Sequence, residues 1–148
     1  MPAVFEYLHV VADAEIDDLL RHVNNLAYIK WMQAAAMAHS AAQGWPAEAY
    51  LTLGAGWVVR SHQIKYLSPA LPGDEIVVRT WVADLGKATS LRRYQIVRPG
   101  ARETILAVAA TDWAFVQFMT HLPRRIPAEV ASAFEIVADP LADRGRAS

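Results

Sequence analysis

Hydrophobic and polar positions divide the chain into stretches of different period. Residues 4–11 read Val-Phe-Glu-Tyr-Leu-His-Val-Val, a β-branched and aromatic run that predicts a strand. An acidic loop follows over 13–18. Residues 25–43 then contain neither Gly nor Pro and are dense in Ala, Leu, Met and Trp, which predicts a helix. Asn24 is placed to cap its start and Gly44 to end it, with Pro46 just beyond. From Gly56 the period becomes that of strands, at 57–67, 75–84, 90–98 and 103–119. Pro72-Gly73-Asp74, Leu85-Gly86-Lys87 and Arg98-Pro99-Gly100-Ala101 are the turn signals between them. Four strands at hairpin spacing predict an antiparallel meander. Pro127 can open a short helix that runs to Phe134.

The long helix is apolar on more than one face. Leu26, Ile29, Met32 and Ala36 form one stripe, and Tyr28, Trp31 and Ala35 another, interrupted by Lys30, Gln33, His39 and Ser40. Such a helix must be buried on most sides, and Ala34-Ala35-Ala36 lets another backbone come close. The expected architecture is α+β: an antiparallel sheet of about five strands wrapped around one long central helix. A sheet covers only one side of a helix, so the remaining surface is expected to meet a second subunit in a homodimer. Whether dimers pair into a tetramer is left open.

Composition narrows the picture. The chain has 148 residues, 54% of them hydrophobic and 20% charged, enough apolar material for one core. One domain is expected over 1–137, with a polar tail over 138–148. A formal net charge of −1 gives no field that would draw nucleic acid or an anionic membrane surface, so neither is expected as a partner. The absence of cysteine excludes a Cys nucleophile and thiolate metal sites. No metal or separate cofactor is expected. The start of the chain lacks the basic and apolar regions of a signal peptide, and no apolar run approaches the ~20 residues of a membrane span. A cytoplasmic location is expected.

Candidate chemistry gathers where the acidic loop meets the helix. The first turn of a helix carries unpaired N–H groups and about half a unit of positive charge. Aimed at a carbonyl, those groups stabilise the oxyanion that forms on nucleophilic attack. Asp18 precedes that turn and can serve as general base or as nucleophile. His22 and Asn25 can position water, polarise a substrate or orient the carboxylate. By residue type alone, Asp18, His22 and Asn24-Asn25 read more readily as caps and solvated loop groups than as catalytic ones.

The wider pattern goes further. Asp18-x-x-x-His22-Val23-Asn24-Asn25-x-x-Tyr28, followed by a helix containing Trp31, resembles the hot-dog-fold acyl-CoA thioesterases, including the 4-hydroxybenzoyl-CoA thioesterase-like proteins and, more distantly, the acyl-ACP thioesterases of plants. Gln63-Ile-Lys-Tyr66-Leu-x-Pro69-Ala-x-x-Gly73-Asp74, Thr80-Trp81, Thr111-x-Trp113-x-Phe115-Val116 and Pro123-Arg-Arg-Ile-Pro127 extend the similarity in the same order. It covers roughly residues 5 to 134.

The resemblance implies a hot-dog fold and hydrolysis of an acyl-CoA or acyl-ACP thioester to free acid and thiol, with CoA entering as part of the substrate. It implies Asp18 as the catalytic carboxylate, with His22 and Asn25 beside it. It also implies Tyr28, Trp31, Ser90 and Arg92 as substrate-binding residues, the last two as first choice for the CoA end. Trp31 and Met32, with strand aromatics, are expected to line the acyl pocket. The chain departs from its relatives at Leu20, where the plant-type enzymes carry Asn, at Arg21, where Gly is usual, and at Gln33, where several have Glu. An alignment with a one-residue insertion would put Asp17 in place of Asp18; the gapless alignment is preferred. A non-catalytic acyl-CoA-binding module and a hot-dog hydratase or dehydratase are the alternative functions.

Overall fold

A computed structural model describes residues 3–17 and 19–138. Asp18 and the tail from 139 onward lie outside the described residues. The chain runs β1 (Phe5–Val10), a 3-10 turn (Asp13–Glu15), α1 (Asn25–Ala42), α2 (Ala47–Leu53), β2 (Ala55–Tyr66), β3 (Glu75–Leu85), β4 (Thr89–Arg98), β5 (Thr104–Gln117) and α3 (Ala128–Ala131). The strands form one antiparallel sheet in the order β1-β3-β4-β5-β2.

That order corrects the expected meander. Only β3, β4 and β5 follow one another as neighbours; β2 pairs with β5, Trp57 opposite Phe115 and His62 opposite Thr111. The segment with Pro72-Gly73-Asp74 therefore crosses from one edge of the sheet towards the other, and is not a hairpin turn. Register shifts at Val59/Ser61, Val82/Asp84 and Ile96/Val97 mark bulges, which add twist and curl to the sheet.

Helix α1 lies in the hollow of the curled sheet, packed on β1 and β3. Asn24 caps it, its Oδ1 accepting from Leu26 N–H at 2.8 Å. Tyr28, Trp31, Met32, Ala35 and Ala36 are buried against Ile76, Val78, Ile96 and Leu106. Each fully buried side chain of Ile or Met size contributes on the order of 2 kcal/mol. The helix is less enclosed than its composition implies: Leu26 is 65% and Met37 63% exposed.

Helix α2 was not expected from the pattern. Pro46 at its N-cap, Glu48 in its first turn and Gly54 at its end, where φ is 78° in the left-handed region, bracket it in the usual way. A second, smaller core joins Ala55, Val82, Phe115, Ile126, Val130 and Phe134. There the C-terminal segment closes over one end of α1, with Val137 N–H donating to Val82 carbonyl oxygen at 2.9 Å and Gln43 Nε2 to Ala133 carbonyl oxygen at 2.8 Å.

Candidate active site

The loop before α1 is a small hairpin. Ile16 and Val23 form an antiparallel bridge, and Asp17 N–H donates to His22 carbonyl oxygen at 2.7 Å. Asp17 also folds the tip: its Oδ1 accepts from Leu19 N–H at 2.9 Å and Leu20 N–H at 3.3 Å. Arg21 follows with φ 57°, a left-handed conformation that L side chains disfavour. This is the position where the related pattern has Gly, and the backbone supplies the reason.

Three ties fix the hairpin to its surroundings. Asn24 N–H donates to Glu15 carbonyl oxygen at 2.7 Å, and Val23 N–H to Ala70 carbonyl oxygen at 3.2 Å. Glu15 supplies the third through its side chain, accepting from His9 Nε2 at 2.8 Å, Ala12 N–H at 2.8 Å and Trp31 Nε1 at 2.7 Å. Burial alone would raise the Glu15 carboxyl, but these hydrogen bonds outweigh it and hold the group below the usual carboxylate range.

His22 and Asn25 are exposed, just before and at the start of α1. Tyr28 and Trp31 are each 2% exposed and belong to the core. Tyr28 accepts from Ala70 N–H at 3.0 Å, and its ring meets Tyr66 edge-on at 5.0 Å. Tyr66 in turn donates to Asn25 carbonyl oxygen at 3.2 Å. Trp31 stands between Tyr28, at 4.8 Å, and His9, at 5.3 Å. These aromatics hold the hairpin, the crossover and the helix start as one body.

The large cavity is elsewhere. A space of about 820 Å³ opens between the second half of α1 (Gln33, Ala36, Met37, Ser40) and the concave face of the sheet. Its walls include Trp45, Tyr50, Trp57, Trp113 and Phe134; Trp31 and Met32, expected to line an acyl pocket, are not among them. Met32 is wholly buried. Alternation along β4 turns Ser90 and Arg92 inward together, and both line this cavity.

Ser90 Oγ donates to Asp84 carbonyl oxygen at 3.1 Å. Arg92 is 6% exposed, inside the fold instead of on the surface where a solvated phosphate would be met. Its Nη1 donates to His39 Nδ1 at 2.9 Å and Thr80 Oγ1 at 3.1 Å, and its guanidinium lies 6.0 Å from the Phe134 ring centre. Burial lowers Arg92 below the usual arginine range. Burial and the adjacent Arg92 charge pull His39 down to about 4, so its ring is neutral at pH 7 and accepts from Arg92. His39, which the sequence marks only as an interruption of the apolar stripes, and Thr80, which it marks only within the family pattern, are thus the partners of Arg92. Phe5 stacks on His39 at 5.2 Å and Phe134 meets it edge-on at 5.4 Å.

Five antiparallel strands curled around a long helix, with a capped loop at the helix start, are the hot-dog fold. Residues 11–134 match the thioesterase-like superfamily, and the chain belongs to it. Solved structures share the architecture. A hypothetical protein from Thermus thermophilus is 25% identical with a TM-score of 0.80, over 88% of this chain and 96% of that one. A 1,4-dihydroxy-2-naphthoyl-CoA thioesterase from Synechocystis is 16% identical with a TM-score of 0.80, over 94% and 98%. A hypothetical protein from Staphylococcus aureus, solved in complex with CoA, is 14% identical with a TM-score of 0.80, over 88% and 80%. Among curated proteins no sequence match was found. Among the described residues no helix is long and apolar enough to cross a membrane.

Proposed function

We propose that this protein hydrolyses an acyl-CoA thioester to free acid and thiol at the start of α1, with Asp18 as general base or nucleophile. The observation that carries the reading is the fastening of the 16–23 hairpin to the first turn of α1. Asn24 takes up Leu26 N–H with its side chain and Ala27 N–H with its carbonyl oxygen. Asn25 N–H has no acceptor among the described residues, which leaves it for a thioester carbonyl. One such donor at a developing oxyanion is worth about 3–4 kcal/mol.

Asp18 is favoured over Asp17 because Asp17 Oδ1 already holds the loop tip. Water attacks the carbonyl carbon, Asp18 taking its proton, or Asp18 attacks and the acyl-enzyme is then hydrolysed. In both cases the C–S bond breaks and the thiolate leaves, to be protonated. His22 and Asn25 orient the water or the carboxylate from the exposed helix start. Tyr28 and Trp31 act beneath the site by holding its parts together, while Ser90 and Arg92 meet ligand inside the cavity. CoA is preferred to a carrier protein as the thiol, supported by the CoA thioesterase and the CoA complex among the similar structures.

The reading includes a homodimer. Leu26 stays exposed on α1, and β2 is an edge strand of the sheet. Sedimentation velocity at micromolar concentration should give twice the chain mass, or four times if dimers pair; a monomer would count against it. The activity itself is tested by thiol release from octanoyl-, benzoyl- and naphthoyl-CoA, followed with a disulfide-exchange dye. Release above the buffer rate supports hydrolysis. Binding without release favours an acyl-CoA-binding module, and hydration of an enoyl-CoA favours a hydratase.

A further inference from the structure

Arg92 is a buried cation with no part in the hydrolytic step at the start of α1. Arg79 pairs with Glu6 and Glu103, and Arg98 with Asp74. Arg92 is more deeply buried than either, yet no carboxylate of the described residues forms an ion pair with it. A guanidinium removed from water loses several kcal/mol of hydration, which a carboxylate ordinarily offsets. Both of its hydrogen bonds come from Nη1, and both go to neutral acceptors, His39 Nδ1 and Thr80 Oγ1. Nε and Nη2 keep their donors without an acceptor among the described residues, at the wall of the 820 Å³ cavity.

The rest of that cavity describes the missing partner. Its walls carry the rings of Trp45, Trp57, Trp113 and Phe134, and its size is that of pockets for small organic ligands. Arg92 is the one basic residue among the described residues that line it, and Glu48 is acidic. A phosphate dianion beside a single cation, among indoles, would remain half-compensated. A carboxylate matches the charge, and its two oxygens match two parallel N–H donors of a guanidinium.

We propose that the cavity binds an apolar or aromatic organic acid whose carboxylate is held by Nε and Nη2 of Arg92. Its charge compensates the buried guanidinium, and its apolar body fills the space between the rings. The site stands apart from the loop before α1. From Asn25 to Ser40 the helix rises roughly 22 Å at about 1.5 Å per residue, so binding here does not rest on the proposed hydrolysis. The acid has two possible sources: a free carboxylic acid, or the far end of a dicarboxylic acyl thioester.

The test is a titration of the intact protein with 2-naphthoate and with its neutral isostere 2-naphthamide, read by quenching of tryptophan emission and by calorimetry. The acid should bind at least 10-fold more tightly than the amide, and Arg92→Met should abolish that preference. The wild-type comparison stands alone if the variant fails to fold. Equal affinity for acid and amide, no binding of either, or undiminished naphthoate preference in a folded Arg92→Met would overturn the site. Thiol release from hexadecanedioyl-CoA, a diacid long enough to approach the separation of the two sites, against palmitoyl-CoA separates the sources. A preference for hexadecanedioyl-CoA of 10-fold or more in kcat/KM, lost in Arg92→Met, places the carboxylate on a thioester substrate. Naphthoate binding without that preference assigns the cavity to a free acid. Because naphthoate binding needs no turnover, failure of the hydrolysis leaves this result intact.

Discussion

The indole Nε1 of Trp31 donates to Oε2 of Glu15 across 2.7 Å, joining the buried face of α1 to the loop that precedes it. The same carboxylate collects Ala12 N–H and His9 Nε2. One side chain therefore ties β1, the 3-10 turn and the helix behind the proposed catalytic hairpin.

Removing that acceptor strands a buried donor, and Glu15→Ala should cost about 1–3 kcal/mol in urea unfolding. The pH dependence has a definite sign. A carboxyl held below its ordinary value contributes stability that is present above about pH 4.5, its unfolded value, and lost as pH falls through the lower folded value. Glu15→Gln should flatten the acid limb of stability against pH. An acid limb of unchanged slope would show that these hydrogen bonds do not hold the carboxylate as described.

Arg21 occupies left-handed backbone at φ 57°. Relieving that conformation with Gly should raise stability by about 1 kcal/mol, whereas Arg21→Ala keeps the conformational cost and gains nothing comparable. Thermal unfolding of the two variants checks this. Equal Tm values for Gly and Ala would remove backbone strain as the reason.

His39 gives a second pH signature. Its value falls from 6.5 in the unfolded chain to about 4 in the fold, so the unfolded state takes up a proton first as pH drops. The depressed value means stability complete above pH 6.5 and lost progressively towards pH 4, about 2 kcal/mol of it by pH 5. Urea unfolding at pH 7.5 and 5.0 should show this loss in the wild type and a smaller one in His39→Gln. Equal losses in both proteins would place the titration on another group.

Local features of the fold were legible in the sequence. Asn24 as cap, the start of α1 at Asn25 and the strands on either side of Leu85-Gly86-Lys87 follow from capping, propensity and alternation within a few residues. Long-range pairing was not. Hairpin spacing says nothing about β2 crossing to the far edge of the sheet beside β5, because that choice depends on how the sheet closes around α1. Helix α2 is concealed in the sequence because Pro46 looks like an ending when read from α1 and like a beginning when read from Gly54.

The site divides in the same way. Arg21 at a position of Gly is a departure readable from the motif, and its positive φ gives that departure a physical meaning. Trp31 and Tyr28 look like pocket aromatics by type, but their polar ends are taken by Glu15 and Ala70, partners 16 and 42 residues away along the chain. Arg92 looks like a surface cation until β4 alternation and the closing Phe134 bury it.

The most direct test of thioester hydrolysis at the start of α1 is steady-state thiol release from the best acyl-CoA by Asp18→Asn and Asp17→Asn, both checked for folding by circular dichroism. Asp18→Asn should lose at least ~100-fold in kcat with KM much less changed, the signature of a lost base or nucleophile. Asp17→Asn should retain most of its kcat, because an amide oxygen can still accept from Leu19 and Leu20 N–H. Undiminished kcat in Asp18→Asn would contradict the account, and an inactive Asp17→Asn beside it would move the chemistry to Asp17.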